Sequence, residues 1–100
     1  MALLPPIHPG EILLEEYMKP LELSVNRLAL DLHVPPSRIG DIVHGTRGIS
    51  SDTALRLARY FETSPEYWLN LQMKYDIEFT ERRAQKEIQR EVRPRLRAAG

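Results

Sequence analysis

Proline and glycine cut this chain of 100 residues into short segments, and between the cuts the apolar residues recur at helical spacing without sustained alternation. That pattern argues against a sheet and for a series of capped helices. The first starts at His8-Pro9-Gly10-Glu11, with proline early and an acid in the first turn. Its apolar stripe is Ile12, Leu13, Tyr17 and Met18, and Pro20 stops it. Ser24 caps a second segment, in which Leu28, Ala29 and Leu32 share one face while Asn26, Arg27 and Asp31 lie away from it. His33-Val34-Pro35-Pro36 ends that helix, and Pro36 suits the first position of a third, running to about Val43 with Ile39, Ile42 and Val43 inward.

Gly45-Thr46-Arg47-Gly48 reads as a turn. Ser50 caps a fourth helix whose Ala54, Leu55, Leu57, Ala58 and Phe61 are expected inside. Ser64-Pro65-Glu66 starts a fifth with Tyr67, Trp68, Leu71 and Tyr75. Beyond Asp76 the chain is charge-dense, with Ala84, Ile88 and Val92 every four residues as the thin stripe of an amphipathic extension. Pro94 ends it, leaving a frayed tail from Arg95. The expected organisation is a leader over 1–8, one all-α, five-helix domain over 9–76, and a charged, partly helical extension over 77–100.

Composition removes several function classes. There is no cysteine, which excludes a disulfide scaffold and thiolate metal sites and suits a reducing cytoplasm. No run approaches the roughly 20 apolar residues of a membrane span, and the first residues carry no signal-peptide pattern. There is no glycine-rich phosphate loop and no His-Glu-x-x-His. His8, His33 and His44 lack metal-ligand spacing, so neither an enzyme nor a cofactor is expected. The 14 basic and 14 acidic residues cancel, against an indiscriminate polyanion binder. Their distribution is uneven: residues 1–76 carry a net −3 and 77–100 a net +3, while 24–59 holds five arginines against three aspartates.

Segments two and three carry the functional signal. Two short helices joined by about three residues must cross steeply, and Ala29 provides the small residue where their backbones meet. Leu28, Leu32, Val34, Ile39 and Ile42 supply the wedge that fixes the angle. The turn residue of such a pair commonly takes the left-handed conformation; here it is His33, tolerable there although glycine is easier. These positions fit a helix-turn-helix over about 24–45.

Those residues resemble the helix-turn-helix of the Xre/Cro repressor group. More specifically, His8-Pro9-Gly10-Glu11, Ile49-Ser50, Thr53-Ala54-Leu55-Arg56-Leu57-Ala58 and Ser64-Pro65-Glu66-Tyr67-Trp68-Leu69-Asn70-Leu71-Gln72 are similar to the HigA/VapI antitoxin family, over about residues 7–75. The resemblance implies a cytoplasmic, nucleoid-associated homodimeric antitoxin. It would repress its own operon and neutralise a HigB-type, RelE-like toxin that cleaves mRNA at the ribosome.

In such a domain the third helix enters the major groove of duplex DNA and its first exposed residues reach base edges. Pro36, Ser37, Arg38 and Asp41 occupy that outward edge. Arg38 suits guanine or a phosphate, and Ser37 suits either. Asp41 can accept from a cytosine amino group or hold Arg38 by an intrahelical pair. Ser24 and Asn26, at the free amides opening helix two, and Thr46 and Arg47, after helix three, are candidate phosphate contacts. Gly40 either permits close approach or is a neutral surface glycine, and His44 is read as a helix-end residue favoured by the dipole. Tyr67, Trp68, Leu71 and Tyr75 fill either the core or a dimer interface.

A dimer would read a pseudo-palindromic operator, and its few positive charges predict a shallow salt dependence. A free-standing repressor without a toxin, and an interaction domain that has lost DNA affinity, also fit the residues.

Overall fold

A computed structural model describes residues 4–96, so the ends of the expected leader and tail, residues 1–3 and 97–100, lie outside the described residues. Five helices follow one another, with no strand among the described residues. Helix α1 is α-helical over Pro9–Ile12 and π-helical over Leu13–Met18. Then come α2 (Val25–Leu32), α3 (Pro36–Val43), α4 (Ser51–Phe61) and α5 (Pro65–Glu91).

Each start is set locally. The hydroxyls of Ser24, Ser50 and Ser64 accept from the amides of Arg27, Thr53 and Tyr67 at 3.0, 3.3 and 3.1 Å. Each such cap is worth about 1 kcal/mol. Pro9, Pro36 and Pro65 stand in first turns, where an amide would have no partner. The cap of α1 is a histidine: Nδ1 of His8 accepts from the Gly10 amide at 2.9 Å.

The ends are closed by left-handed residues. His33 (φ 58°) lets its own amide reach the Leu30 carbonyl at 3.2 Å and the Val34 amide reach that of Ala29 at 3.0 Å. Glu62 (φ 56°) closes α4 in the same manner, and Gly45 (φ 79°) closes α3. The expectation for His33 therefore holds. The turn after α1 closes likewise on Glu22 (φ 54°), whose amide reaches the Lys19 carbonyl at 3.0 Å while that of Leu23 reaches the Met18 carbonyl at 2.9 Å, but the last turn of α1 is itself wider. The Lys19 amide donates to the Leu14 carbonyl, five residues back, at 2.9 Å. This wider turn lets Leu13 and Met18, also five apart, share the buried side, while Ile12 and Tyr17 are only half-buried.

The core joins all five helices through Leu13, Met18, Leu28, Ala29, Leu32, Ile39, Ile42, Leu57 and Trp68. Trp68 is 0% exposed, packed against Tyr17 at 4.9 Å and Tyr67 at 5.1 Å between ring centres. Its Nε1 donates to the Thr63 hydroxyl at 2.8 Å. Leu55, expected inside, is 59% exposed. At roughly 100° per residue it falls well round the helix from the buried stripe of Ala54, Leu57 and Ala58.

α5 runs unbroken for 27 residues, about 40 Å at 1.5 Å per residue. The extension expected beyond residue 76 is thus, through Glu91, the second half of this helix. It ends before Arg93, which Pro94 biases away from helical backbone.

The start of α1 lies hard against the end of α3. A Cβ on Gly10 would fall on the Ile42 carbonyl oxygen, a backbone atom with no rotamer to escape into. Gly10→Ala is expected to cost about 3 kcal/mol or to prevent folding, as severe overpacking does; urea denaturation measures it.

His8 makes stability pH-dependent. Burial holds its imidazole below the ordinary 6.5, against smaller opposing effects of the Asp76 carboxylate and the Arg47 backbone, and Nδ1 must stay unprotonated to accept from Gly10. The unfolded chain therefore takes up the proton first. Stability is complete above about pH 6.5 and falls as the pH drops from there towards the lowered folded value. Thermal unfolding at about pH 7.5 and about pH 5 is expected to show a larger acid-induced drop for the wild type than for His8→Asn, which keeps an acceptor without titrating.

Candidate nucleic-acid interface

Three pieces of surface adjoin one another: the opening turn of α2, the outer side of α3, and the loop from α3 to α4. In α3 the inward positions are Ile39 and Ile42, both fully buried. Helical rotation then turns Ser37, Gly40, Asp41 and His44 to the opposite side. Pro36 and Ser37 are exposed at its leading end, and Asp41 is half-exposed. Nothing in the described chain covers this edge.

Arg38 differs from its neighbours. It lies on the flank of α3 towards α4, and its side chain is only 29% exposed. Its Nη1 donates to Oδ2 of Asp52 at 2.6 Å. The same oxygen accepts from Nε of Arg56 at 2.9 Å, and Arg56 Nη1 donates to the Leu32 carbonyl at 2.9 Å. Hydrogen bonds from Arg56 first and Arg38 second hold the Asp52 carboxyl below its ordinary range. The intrahelical Arg38–Asp41 pair is therefore not formed: Asp52 takes the arginine from across the turn, and Asp41 pairs with Nη2 of Arg47 at 3.4 Å.

The Asp41 carbonyl organises the loop. It accepts from the amides of Thr46 and Arg47 at 2.9 and 3.2 Å and from the Thr46 hydroxyl at 3.2 Å. From the other side Gln72 of α5 accepts the Ile49 amide at 2.7 Å, so Thr46 and Arg47 project from a loop pinned at both ends. The His44 ring donates to the Gly40 carbonyl at 2.7 Å, a helix-end role as expected. At the opening of α2, Ser24 and Asn26 are exposed. The Ser24 oxygen accepts from the Arg27 amide, while the amides of Val25 and Asn26 stand ahead of the first helical bond, from Leu28 to the Ser24 carbonyl, and have no acceptor within the helix.

Among the residues considered for a dimer interface, Trp68 is removed, since the subunit itself buries it completely. Tyr67, Leu71 and Tyr75 are half-buried. Burial, then the neighbouring Tyr17 hydroxyl, pushes the Tyr67 phenol up to about 12. Tyr75 meets the His8 ring edge-on at 4.8 Å and stacks on Phe79 at 5.8 Å.

Asp52, Arg56 and Gln72 are the residues that sequence reasoning missed. The first two carry a signal, an acid four residues before a base at a helix start. The link to Arg38, fourteen positions away, has none. No described helix is long and apolar enough to cross a membrane.

The model of the helix-turn-helix family matches residues 14–68. Virulence-associated protein I of Dichelobacter nodosus is 58% identical over 78 residues, covering 78% of this chain and 72% of that protein. A solved addiction module antidote protein of a HigA family from Coxiella burnetii is 49% identical, with a TM-score of 0.87 over 92% of this chain and all of the other. The Pseudomonas aeruginosa antitoxin HigA, solved with the higBA promoter, is 44% identical, with a TM-score of 0.88 over 91% and 99% of the two chains.

Gly40 is not required by the packing, since a Cβ there would meet only Val25 Cγ1 at 3.9 Å. Gly40→Ala is expected to stabilise the domain by about 0.5–1 kcal/mol through helix propensity, read as a higher urea midpoint at unchanged slope.

Proposed function

The chain belongs to the helix-turn-helix family of Xre-type domains, within its HigA group, and from that premise we propose that it is a cytoplasmic antitoxin that represses its own operon. It binds operator DNA as a homodimer through α3 and neutralises a HigB-type, RelE-like toxin. The observation that carries this reading is the open leading edge of α3, flanked by two sites suited to phosphates. A rod about 12 Å long (eight residues at 1.5 Å each) with Ile39 and Ile42 anchored inward presents Pro36 and Ser37 unobstructed.

Each group has a defined task. Ser37, Arg38 and Asp41 read base edges: Arg38 donates to guanine O6 and N7, and Asp41 accepts from a cytosine amino group. Ser24 and the first amides of α2 hold one phosphate, where the helix dipole favours negative charge. Thr46 and Arg47 hold the other strand. Base contacts specify and these flanking contacts set register. Tyr67, Leu71 and Tyr75 contribute to the subunit contact, which spaces two reading helices about one turn of DNA apart. The protein is a regulator and needs no catalytic group.

Arg38→Ala is expected to weaken binding to the upstream promoter duplex about tenfold or more, in line with the roughly 1–3 kcal/mol of a bidentate base contact. The thermal midpoint should change little, because a half-exposed ion pair stabilises by about 1 kcal/mol at most. Unchanged affinity by fluorescence anisotropy removes Arg38 from the reading surface, and a single half-site binding as tightly as two contradicts the dimer. Co-expression with the adjacent open reading frame tests the antitoxin role: a small toxic protein should co-purify. Promoter binding without such a partner would leave a free-standing repressor.

A further inference from the structure

Arg38 is already held, and by a residue outside the reading helix. Asp52 stands in the first turn of α4 and takes only Nη1 of the guanidinium. The Nε and Nη2 edge, the pair of parallel donors that a guanine or a phosphate requires, stays outside that bond. The carboxylate doing the holding is itself fixed. Arg56 grips the same oxygen and ties it through the Leu32 carbonyl to the last turn of α2. Three helices thus converge on one acid.

From this arrangement we infer that Asp52 is a positioning residue for base reading, orienting Arg38 and opposing duplex contacts in which Arg38 finds no base. The inference rests on the DNA-binding reading above. Two physical effects act together. A long side chain fixed before binding loses less rotamer freedom on contact, so the specific complex gains. A negative charge kept beside the reading helix repels phosphates, and the specific complex alone offsets this by the base contact. The two cations beside it hold the Asp52 carboxyl below its ordinary range, so that charge persists at any pH at which the domain would meet DNA.

The two effects predict opposite signs for two kinds of DNA, which a merely structural role does not. Wild type, Asp52→Ala, Arg38→Ala and Arg56→Ala are each used to select duplexes from a random library, and affinities are measured for the wild-type winner and for a scrambled duplex of equal length. Arg38→Ala identifies the base position that Arg38 reads. Asp52→Ala should lose preference at that same position and no other. Its affinity for the winner should drop about fivefold while that for the scrambled duplex rises, so that the ratio falls about tenfold or more. Arg56→Ala breaks two bonds of the same hub but leaves Arg38 on Asp52, and its ratio should fall by much less than that of Asp52→Ala.

If Asp52→Ala retains the wild-type preference and ratio, or weakens both duplexes equally, the inference is overturned while the DNA reading stands. If Arg56→Ala loses as much discrimination as Asp52→Ala, the hub acts through general structure and the inference is again overturned. If the wild type selects no sequence, the DNA reading itself fails and the inference with it.

Discussion

The left-handed turn at His33 is the constraint on which the reading surface depends. Its φ of 58° allows two amides, its own and that of Val34, to close the end of α2 on the Leu30 and Ala29 carbonyls. Without that reversal α2 would continue, and Pro35 and Pro36 would meet helical backbone they cannot enter. With it, Val34 folds back into the core and α3 starts at once, crossing α2 where Ala29 is completely buried. A non-glycine residue in this region costs on the order of 1 kcal/mol. The surrounding wedge of Leu28, Leu32, Ile39 and Ile42 offsets it, each burying apolar surface worth about 1.5–3 kcal/mol.

The far end of α3 is fixed by contacts from the first and the last helix. Gly10 lets α1 touch the Ile42 carbonyl, and His8, which caps that helix, lies under Tyr75 and beside Gly45. Gln72 then binds the loop that follows α3. One turn at the front and one clamp at the back therefore orient a two-turn helix too short to be stable alone. Rigidity of the reading element comes from these tertiary contacts, and little of it from the intrinsic preferences of Pro36–Val43, which include an interior glycine.

Legibility in the sequence followed the range of the interaction. Ser24, Ser50 and Ser64 could be read as caps because the bond spans three residues, and Pro36 as a start because proline needs no partner. His33 was legible as a turn from the prolines behind it and the helix before it. The π turn in α1 was not, since both an α and a π register bury Leu13 and only packing selects Met18. Leu55 was misplaced because an apolar residue beside a buried stripe looks like part of it. Trp68 belonged to the core and not to an interface because Tyr17, Phe61 and Thr63, brought in by three other segments, enclose it. Arg38 was expected to be a reader by its place in α3, but its half-buried state follows from Asp52, which no local pattern connects to it.

That last contact belongs to a wider arrangement. Arg27, Arg38, Arg47 and Arg56 are each paired with one of the three aspartates at 31, 41 and 52. An arginine so paired attracts distant phosphates weakly, because the dipole field of a close ion pair decays faster than that of a lone charge and salt screens the rest. At contact the situation changes. Exposed ion pairs stabilise by at most about 1 kcal/mol, so a phosphate at the right position can displace the carboxylate of Asp41 from Arg47 at little cost. On the function proposed above, the surface therefore resists DNA in general and responds to it in register. A net charge of zero is then compatible with a DNA-reading function: the aspartates that pair with the arginines also limit their choice of partner.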